Sequence, residues 1–330
     1  MDKKIEERFQ YKAGDDIWAY DIWEKHENLH WLPREVSLGK DTQDWNNLSQ
    51  EDKDFLTKIM GFFTQADIEV HDTYLDCYLP NYKTLGIKQM LTGFSARECV
   101  HIMGYAYIVE ELIKGKAQDE VFSAFINVPE LRRIHDAFEK YSGTSTVENR
   151  YKNMVATTLF GEGVMLFGQF AMLLNYAYQG KMTGVGQIVS WSIRDEDMHV
   201  YGITQLMKRD TAFNAMPLKK RQDLYNSVYW DIMPLIQDFV GYCYEALPKE
   251  SSGVKPLEFN QILEFLDFQA GRRARQVGLT ELYQGKNHFP WFDMMIAGVE
   301  HANFFEQRAT EYSKGNLIGE FFPVKEGGAE

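Results

Sequence analysis

Ile193-Arg194-Asp195-Glu196-Asp197-Met198-His199 lies inside a stretch, from about Val185 to Arg209, that no proline interrupts. Read as helix, it puts Glu196 and His199 three residues apart on one face. Glu162 stands 34 residues upstream of Glu196, within another long run that begins near Thr146 and closes at Gly180. The same order occurs earlier in the chain. Glu98-Cys99-Val100-His101 repeats the acid-x-x-His spacing, and Asp67 precedes Glu98 by 31 residues. A helical hairpin returns to the same height after about 15 residues out, a short turn and about 15 back, roughly 22 Å each way. Both spacings therefore set an acid level with an acid-x-x-His pair on the neighbouring antiparallel helix.

The rest of the chain has the same helical character. The nine prolines fall mostly between periodic segments and read as helix ends. Ser49, followed by Gln50-Glu51-Asp52, reads as an N-cap with an acidic first turn. The helix it opens runs to about Tyr78, with Phe55, Ile59, Phe62, Phe63, Ala66 and Val70 at helical spacing. Further helices are expected over about 85–114, 118–141 with an interruption near Pro129, 146–179, 185–209, 218–246, 257–274 and 291–313. Strand-like alternation with hairpin dipeptides is nearly absent. The fold class is all-α, with main helices of about 25–34 residues, a length that suggests a bundle.

Composition narrows the function. A net charge of -13 repels phosphate backbones and argues against nucleic-acid binding. Three cysteines (Cys77, Cys99, Cys243) without a CxxC exclude a disulfide scaffold, a zinc ribbon and a redox dithiol. The charged N-terminus has no apolar signal segment. No apolar run is expected to reach the roughly 18 residues of a membrane span. A cytoplasmic protein without a membrane segment is the expectation. Residues 1–47, with four of the seven Trp, read as an irregular arm belonging to a helical domain over 1–312. Residues 313–330 are Gly-rich and aperiodic, yet hold Leu317, Ile318, Phe321 and Phe322. They read as a flexible tail that docks on a partner.

Chance alone gives about one acid-x-x-His match in a chain with 48 acids and eight His, and three occur. Glu27/His30 stands just before Pro33 and reads as a surface pair. The other two lie mid-helix. Four carboxylates and two imidazoles converging inside a bundle are costly to bury uncompensated. Bound metal is the simplest resolution, and six hard or borderline ligands suit two Fe or Mn ions. This arrangement is the pattern described for ferritin-like di-metal bundles. Tyr105 shares a helical stripe with Glu98 and His101, within reach of oxidation to a radical by an oxygen-activating site; a core tyrosine with a satisfied hydroxyl is the alternative. His71, on the Asp67 face, and Tyr107, about 200° from Tyr105, read as structural.

Taken together, Phe62-Phe63-Thr64-Gln65-Ala66-Asp67, Glu98 to Tyr105, Glu162 and Arg194 to His199 resemble the small, radical-generating subunit of class I ribonucleotide reductase. Trp31-Leu32-Pro33-Arg34-Glu35-Val36 and the segment Asn303 to Tyr312 match further signatures of that family. The resemblance covers about residues 20–320. It implies that Asp67, Glu98, His101, Glu162, Glu196 and His199 bind two iron ions as a di-iron-oxo pair, with manganese or a mixed manganese/iron pair as alternatives. It implies an O2-dependent tyrosyl radical on Tyr105, and a transfer route that starts at Trp31 and Asp195. Tyr312 would relay the radical, Glu306 would act at that junction, and the tail would dock on the large subunit. A homodimer, and reduction of ribonucleotides to deoxyribonucleotides on the large subunit, are implied as well. Leu166 and Ser192 replace larger apolar residues common around the radical pocket, and Phe94 stands where some members have Trp. The alternatives are another ferritin-like di-iron oxidase or oxygenase, which has no need of Trp31, Asp195, Tyr312 and a docking tail together, and a helical scaffold or iron store.

Overall fold

The computed structural model describes residues 16–247 and 253–295, and every regular element among them is helical. In chain order these are α1 (Ile17–Glu27), α2 (Gly39–Asn47) and α3 (Gln50–Asp72), which continues as a π-helical segment, Thr73–Tyr78. Then come α4 (Leu85–Leu112), the short α5 (Lys116–Phe122), α6 (Ala124–Asn127) and α7 (Pro129–Glu139), and the long α8. Helix α8 runs from Val147 to Tyr178, with its middle, Val155–Met165, wound as π-helix. After it follow α9 (Thr183–Arg209), α10 (Thr211–Ala215), α11 (Leu218–Tyr244) and α12 (Phe259–Gln276).

The starts follow local chemistry. Ser49 Oγ accepts from the Asp52 backbone N–H at 3.1 Å and opens α3. Thr146 does the same for α8, accepting from Asn149 N–H at 3.1 Å. Pro129 begins α7, where its missing N–H costs nothing. The antiparallel pairs α3/α4 and α8/α9 form the centre, with α11 and α12 packed against α8. Helix α8 is buried along almost its whole length. It is long and apolar enough to cross a membrane by length and composition, contrary to the sequence expectation, yet that window is wholly buried in the core. Beyond its first turns even its polar residues, Glu162, Gln169 and Asn175 among them, lie inside the protein, which makes it the bundle's axis.

The expected irregular arm is corrected. Among residues 16–47, α1 and α2 are regular helices. Charged residues obscure their periodicity, because α1 buries only Ala19, Tyr20 and His26. Helix α1 crosses α4 at very close range. A Cβ on Gly93 would lie 2.7 Å from Trp23 Cδ1, and one on Gly86 would lie 2.7 Å from the Asp16 carbonyl oxygen. This approach brings Trp31 and His26 to the bundle's centre.

Candidate metal centre

Helix α3 supplies Asp67, α4 supplies Glu98 and His101, the π segment of α8 supplies Glu162, and α9 supplies Glu196 and His199. None of the six is more than 1% exposed. They form two overlapping groups, Asp67/Glu98/His101/Glu196 and Glu98/Glu162/Glu196/His199; within each, one ligand atom per residue lies within 4.8 Å of all the others. Glu98 and Glu196 belong to both, so the groups adjoin. The two hairpins do bring acid and acid-x-x-His to one height. Glu162 reaches it from π-helix, a form that often marks functional sites.

Both imidazoles aim Nδ1 inward. His101 Nδ1 is 3.1 Å from Glu98 and 3.0 Å from Glu196. His199 Nδ1 is 2.8 Å from Glu98 and 3.4 Å from Glu196. Several inward atoms make no well-formed hydrogen bond: both oxygens of Asp67 and of Glu196, Oε1 of Glu98 and of Glu162, and His199 Nδ1. Buried polar atoms are ordinarily satisfied, so this concentration of orphans calls for a ligand. Four carboxylates balance two divalent cations, and oxygen with imidazole nitrogen is the donor set of iron or manganese. The residues fit such a pair.

The six groups shift one another's protonation. Burial, then the Glu98 and Glu196 charges, pushes the Asp67 carboxyl well above its usual range. Burial and the Glu196 charge do the same to Glu162. Burial also opposes charge at Glu98, but the imidazoles of His199 and His101 hold its carboxyl down at about 2. Burial works against imidazolium too, yet Glu98 and its neighbours raise His199 to about 10 and His101 well above the usual value.

Outside the six, the two halves differ. His101 Nε2 faces Asp195 Oδ2 at 3.3 Å, and the same oxygen accepts from Trp31 Nε1 at 2.7 Å and from Arg97 at 2.9 Å. Arg194 pairs with the other Asp195 oxygen at 3.1 Å. Burial alone would neutralise Asp195; its bond to His101 and the Arg97 and Arg194 charges keep its pKa well below the usual range. His199 Nε2 instead faces His26 Nε2 at 3.2 Å. Burial, then the neighbouring His199, depresses the His26 pKa well below its ordinary value. Tyr74, fully buried in the π segment after α3, donates its hydroxyl to Glu162 Oε2 at 3.0 Å.

Tyr105 is 3% exposed and stacks on Phe63 at 4.7 Å between centroids. Burial, then the Asp67 charge, pushes its phenol well above the usual pKa, with the Ser192 hydroxyl opposing. His71 stays outside the cluster, its Nδ1 on the Ser95 carbonyl and hydroxyl at 2.9 and 2.8 Å. The Tyr107 hydroxyl donates to the Val36 carbonyl oxygen at 3.2 Å, a packing role. Glu27 and His30 are exposed. Glu306, Tyr312 and the tail 313–330 lie outside the described residues. Sequence reasoning missed His26, Tyr74 and Arg97. Only Arg97, beside Glu98, carried a local signal; the other two needed the packing of α1 and the π turn.

The ribonucleotide reductase small-chain family model matches residues 8–290. The chain is 31% identical to a probable ribonucleoside-diphosphate reductase small subunit of Invertebrate iridescent virus 6, over 94% of this chain and 96% of that protein. It is 27% identical to the ribonucleoside-diphosphate reductase subunit beta of Chlamydia pneumoniae, over 91% of this chain and 89% of that one. In fold it is similar to the dimanganese(II)-NrdF of Streptococcus sanguinis, with a TM-score of 0.76 and 21% identity over 87% of this chain and 98% of that chain. A putative class I ribonucleotide reductase from Bacillus halodurans is as similar in fold, with a TM-score of 0.76 and 19% identity over 84% of this chain and 99% of that one.

Proposed function

The chain belongs to the ribonucleotide reductase small-chain family and is the small subunit of a ribonucleoside-diphosphate reductase; from that premise we propose that its buried carboxylate and imidazole cluster holds two metal ions that serve radical generation. Asp67, Glu98, His101, Glu162, Glu196 and His199 are the ligands. The carrying observation is the pair of adjoining buried groups, each with its ligand atoms within 4.8 Å of one another. When bound, the metal pair supplies O2-dependent oxidation of a nearby phenol.

Tyr105 is that phenol, and its sealed pocket shields a radical from water. The route out starts at Trp31. Its indole N–H is held by Asp195, which in turn orients His101, so one carboxylate joins the two by hydrogen bonds of 2.7 and 3.3 Å. Asp195 can hold the indole proton's position while an electron passes. Tyr312 and Glu306 carry the route towards the large subunit, the partner that a class I small subunit implies, and residues 313–330 dock there. We assign the chain to a homodimer in the cytoplasm. Iron is the first choice of metal. Manganese or a mixed pair suits the same ligands, and the similar Streptococcus protein carries manganese in its name.

Metal analysis with EPR after aerobic reconstitution tests this reading. Two ions per chain and a tyrosyl signal are expected. Tyr105→Phe should keep the metal and the fold and lose that signal; an unchanged signal refutes the assignment.

A further inference from the structure

Between α3 with its π extension, the π segment of α8, and the short helices α6 and α7 lies a cavity of about 340 Å³. Four acids line it, Glu69, Asp72, Asp76 and Glu139, and no Lys or Arg does. Its one basic side chain, His135, is tied to Glu69. Asp72, Asp76 and Glu139 are exposed and Glu69 is half-buried. Such a cluster alone is an ordinary solvated face.

A second feature sets it apart. Asn153, 1% exposed, also lines the cavity. Its Nδ2 donates to the Tyr141 carbonyl oxygen at 2.7 Å, which fixes the amide's orientation. The other end, Oδ1, is buried without a hydrogen-bond partner. A buried acceptor left unsatisfied is costly, and a cation or its hydration shell would satisfy it. Ala66 and Val70, within a turn of Asp67 on α3, and Gly161, Met165 and Leu166, near Glu162 on α8, also line it. The cavity therefore occupies the neighbouring face of the same two helices that carry two candidate ligands.

We propose that this cavity is the loading vestibule of the metal centre, a transient site for a hydrated divalent transition-metal cation, Mn(II) or Fe(II), on its way to Asp67 and Glu162. It rests on the two-metal reading above. The acidic rim concentrates the cation, and Asn153 Oδ1 offers a hard oxygen donor inside. The rim acts on the rate of capture, while the six inner residues set the final affinity. Rate and stoichiometry therefore report on different residues.

The test mixes metal-free full-length chain with Mn(II) anaerobically and follows loss of the free-ion EPR signal by rapid freeze-quench. Bound metal is counted at the end. The parent should take up two ions at a rate that falls with added salt. Asp76→Asn with Glu139→Gln, both exposed positions, should slow uptake about fivefold at low salt, flatten the salt dependence and still reach two ions. Asn153→Leu should slow uptake without changing the salt dependence. Uptake at the parent's rate in both variants overturns the vestibule, as does parent uptake that is indifferent to salt. A parent chain that binds no metal overturns the two-metal reading itself, and the vestibule with it.

Discussion

Tyr74→Phe removes one oxygen from the outer wall of the candidate metal centre and leaves the ring. The ring packs on Tyr78 at 5.4 Å, Phe94 at 5.8 Å and His199 at 5.8 Å, contacts that phenylalanine keeps. What disappears is the 3.0 Å bond to Glu162 Oε2. That bond lowers the carboxyl's pKa against burial and the Glu196 charge, which both raise it. Without it, Glu162 holds its proton more firmly, and a metal ion must displace that proton to bind. A hydrogen bond to a charged group is worth about 1.5–3 kcal/mol. Loss of an outer partner of a ligand typically lowers metal affinity about 10–100-fold. These agree, since tenfold is about 1.4 kcal/mol. Titration with Mn(II), read by EPR and calorimetry, should show one of two ions weakened by that factor, more so at lower pH. The other ion, on the Asp67 and His101 side, should bind as in the parent. The metal-free variant should keep its melting temperature within a few degrees. Two ions bound as in the parent, or both weakened equally, would refute the reasoning.

The remaining predictions concern the apo cluster, the α1 contact and the tail. His101 and His199 have raised pKa values, so their stabilisation is full below about 6.5 and is lost as pH rises towards their folded values, about 10 for His199. Asp67 and Glu162, also raised, lose theirs as pH climbs through their folded values. Metal-free chain should therefore melt higher at pH 6 than at pH 8 by scanning calorimetry, and bound metal should abolish or reverse that trend. Gly93→Ala drives a methyl into Trp23 and should cost about 1–3 kcal/mol, read as a lower denaturation midpoint with an unchanged slope. Deleting 313–330 should weaken binding to the large subunit in a sedimentation or biolayer assay. Tyr312→Phe should leave metal and radical intact and stop turnover with that partner.

Fold class and site geometry were legible for one reason. Helical rise is constant, so a fixed spacing between acid and acid-x-x-His translates directly into height in a hairpin. Asp67, Glu98, Glu162 and Glu196 therefore meet as expected. The same regularity failed where local winding departs from it. Tyr74 lies seven residues after Asp67, where α3 turns to π-helix, and nothing in the sequence says that its hydroxyl will reach a carboxylate on α8. The error at the N-terminus has a different cause. Helix α1 is mostly solvated and its buried stripe is thin, so periodicity was weak. Its place is set by Gly86 and Gly93 on another helix, a tertiary fit with no local signature. His26 was invisible for the same reason, standing four residues before His30, the residue that attracted notice.

The repeat of acid and acid-x-x-His is nearly symmetric in sequence, and the surroundings break that symmetry. Both imidazoles present Nδ1 to the cluster and Nε2 to an outer partner. For His101 the partner is Asp195, a carboxylate kept ionised by Arg97 and Arg194. An anionic partner makes the imidazole a stronger donor. For His199 it is His26, whose burial disfavours a charge. Tyr74 further draws charge from Glu162 on that same side. Two ligand sets of similar composition thus become unequal donors. Trp31 is bonded only to the anionic partner, stacks on His101 with centroids 6.0 Å apart, and meets Trp191 at 5.2 Å. Trp31 is thereby tied through Asp195 to the His101 half of the cluster. The spacing of the motifs carries the convergence of the six acids and imidazoles; the difference between the two halves is written in Asp195, Arg97 and His26, outside those six residues.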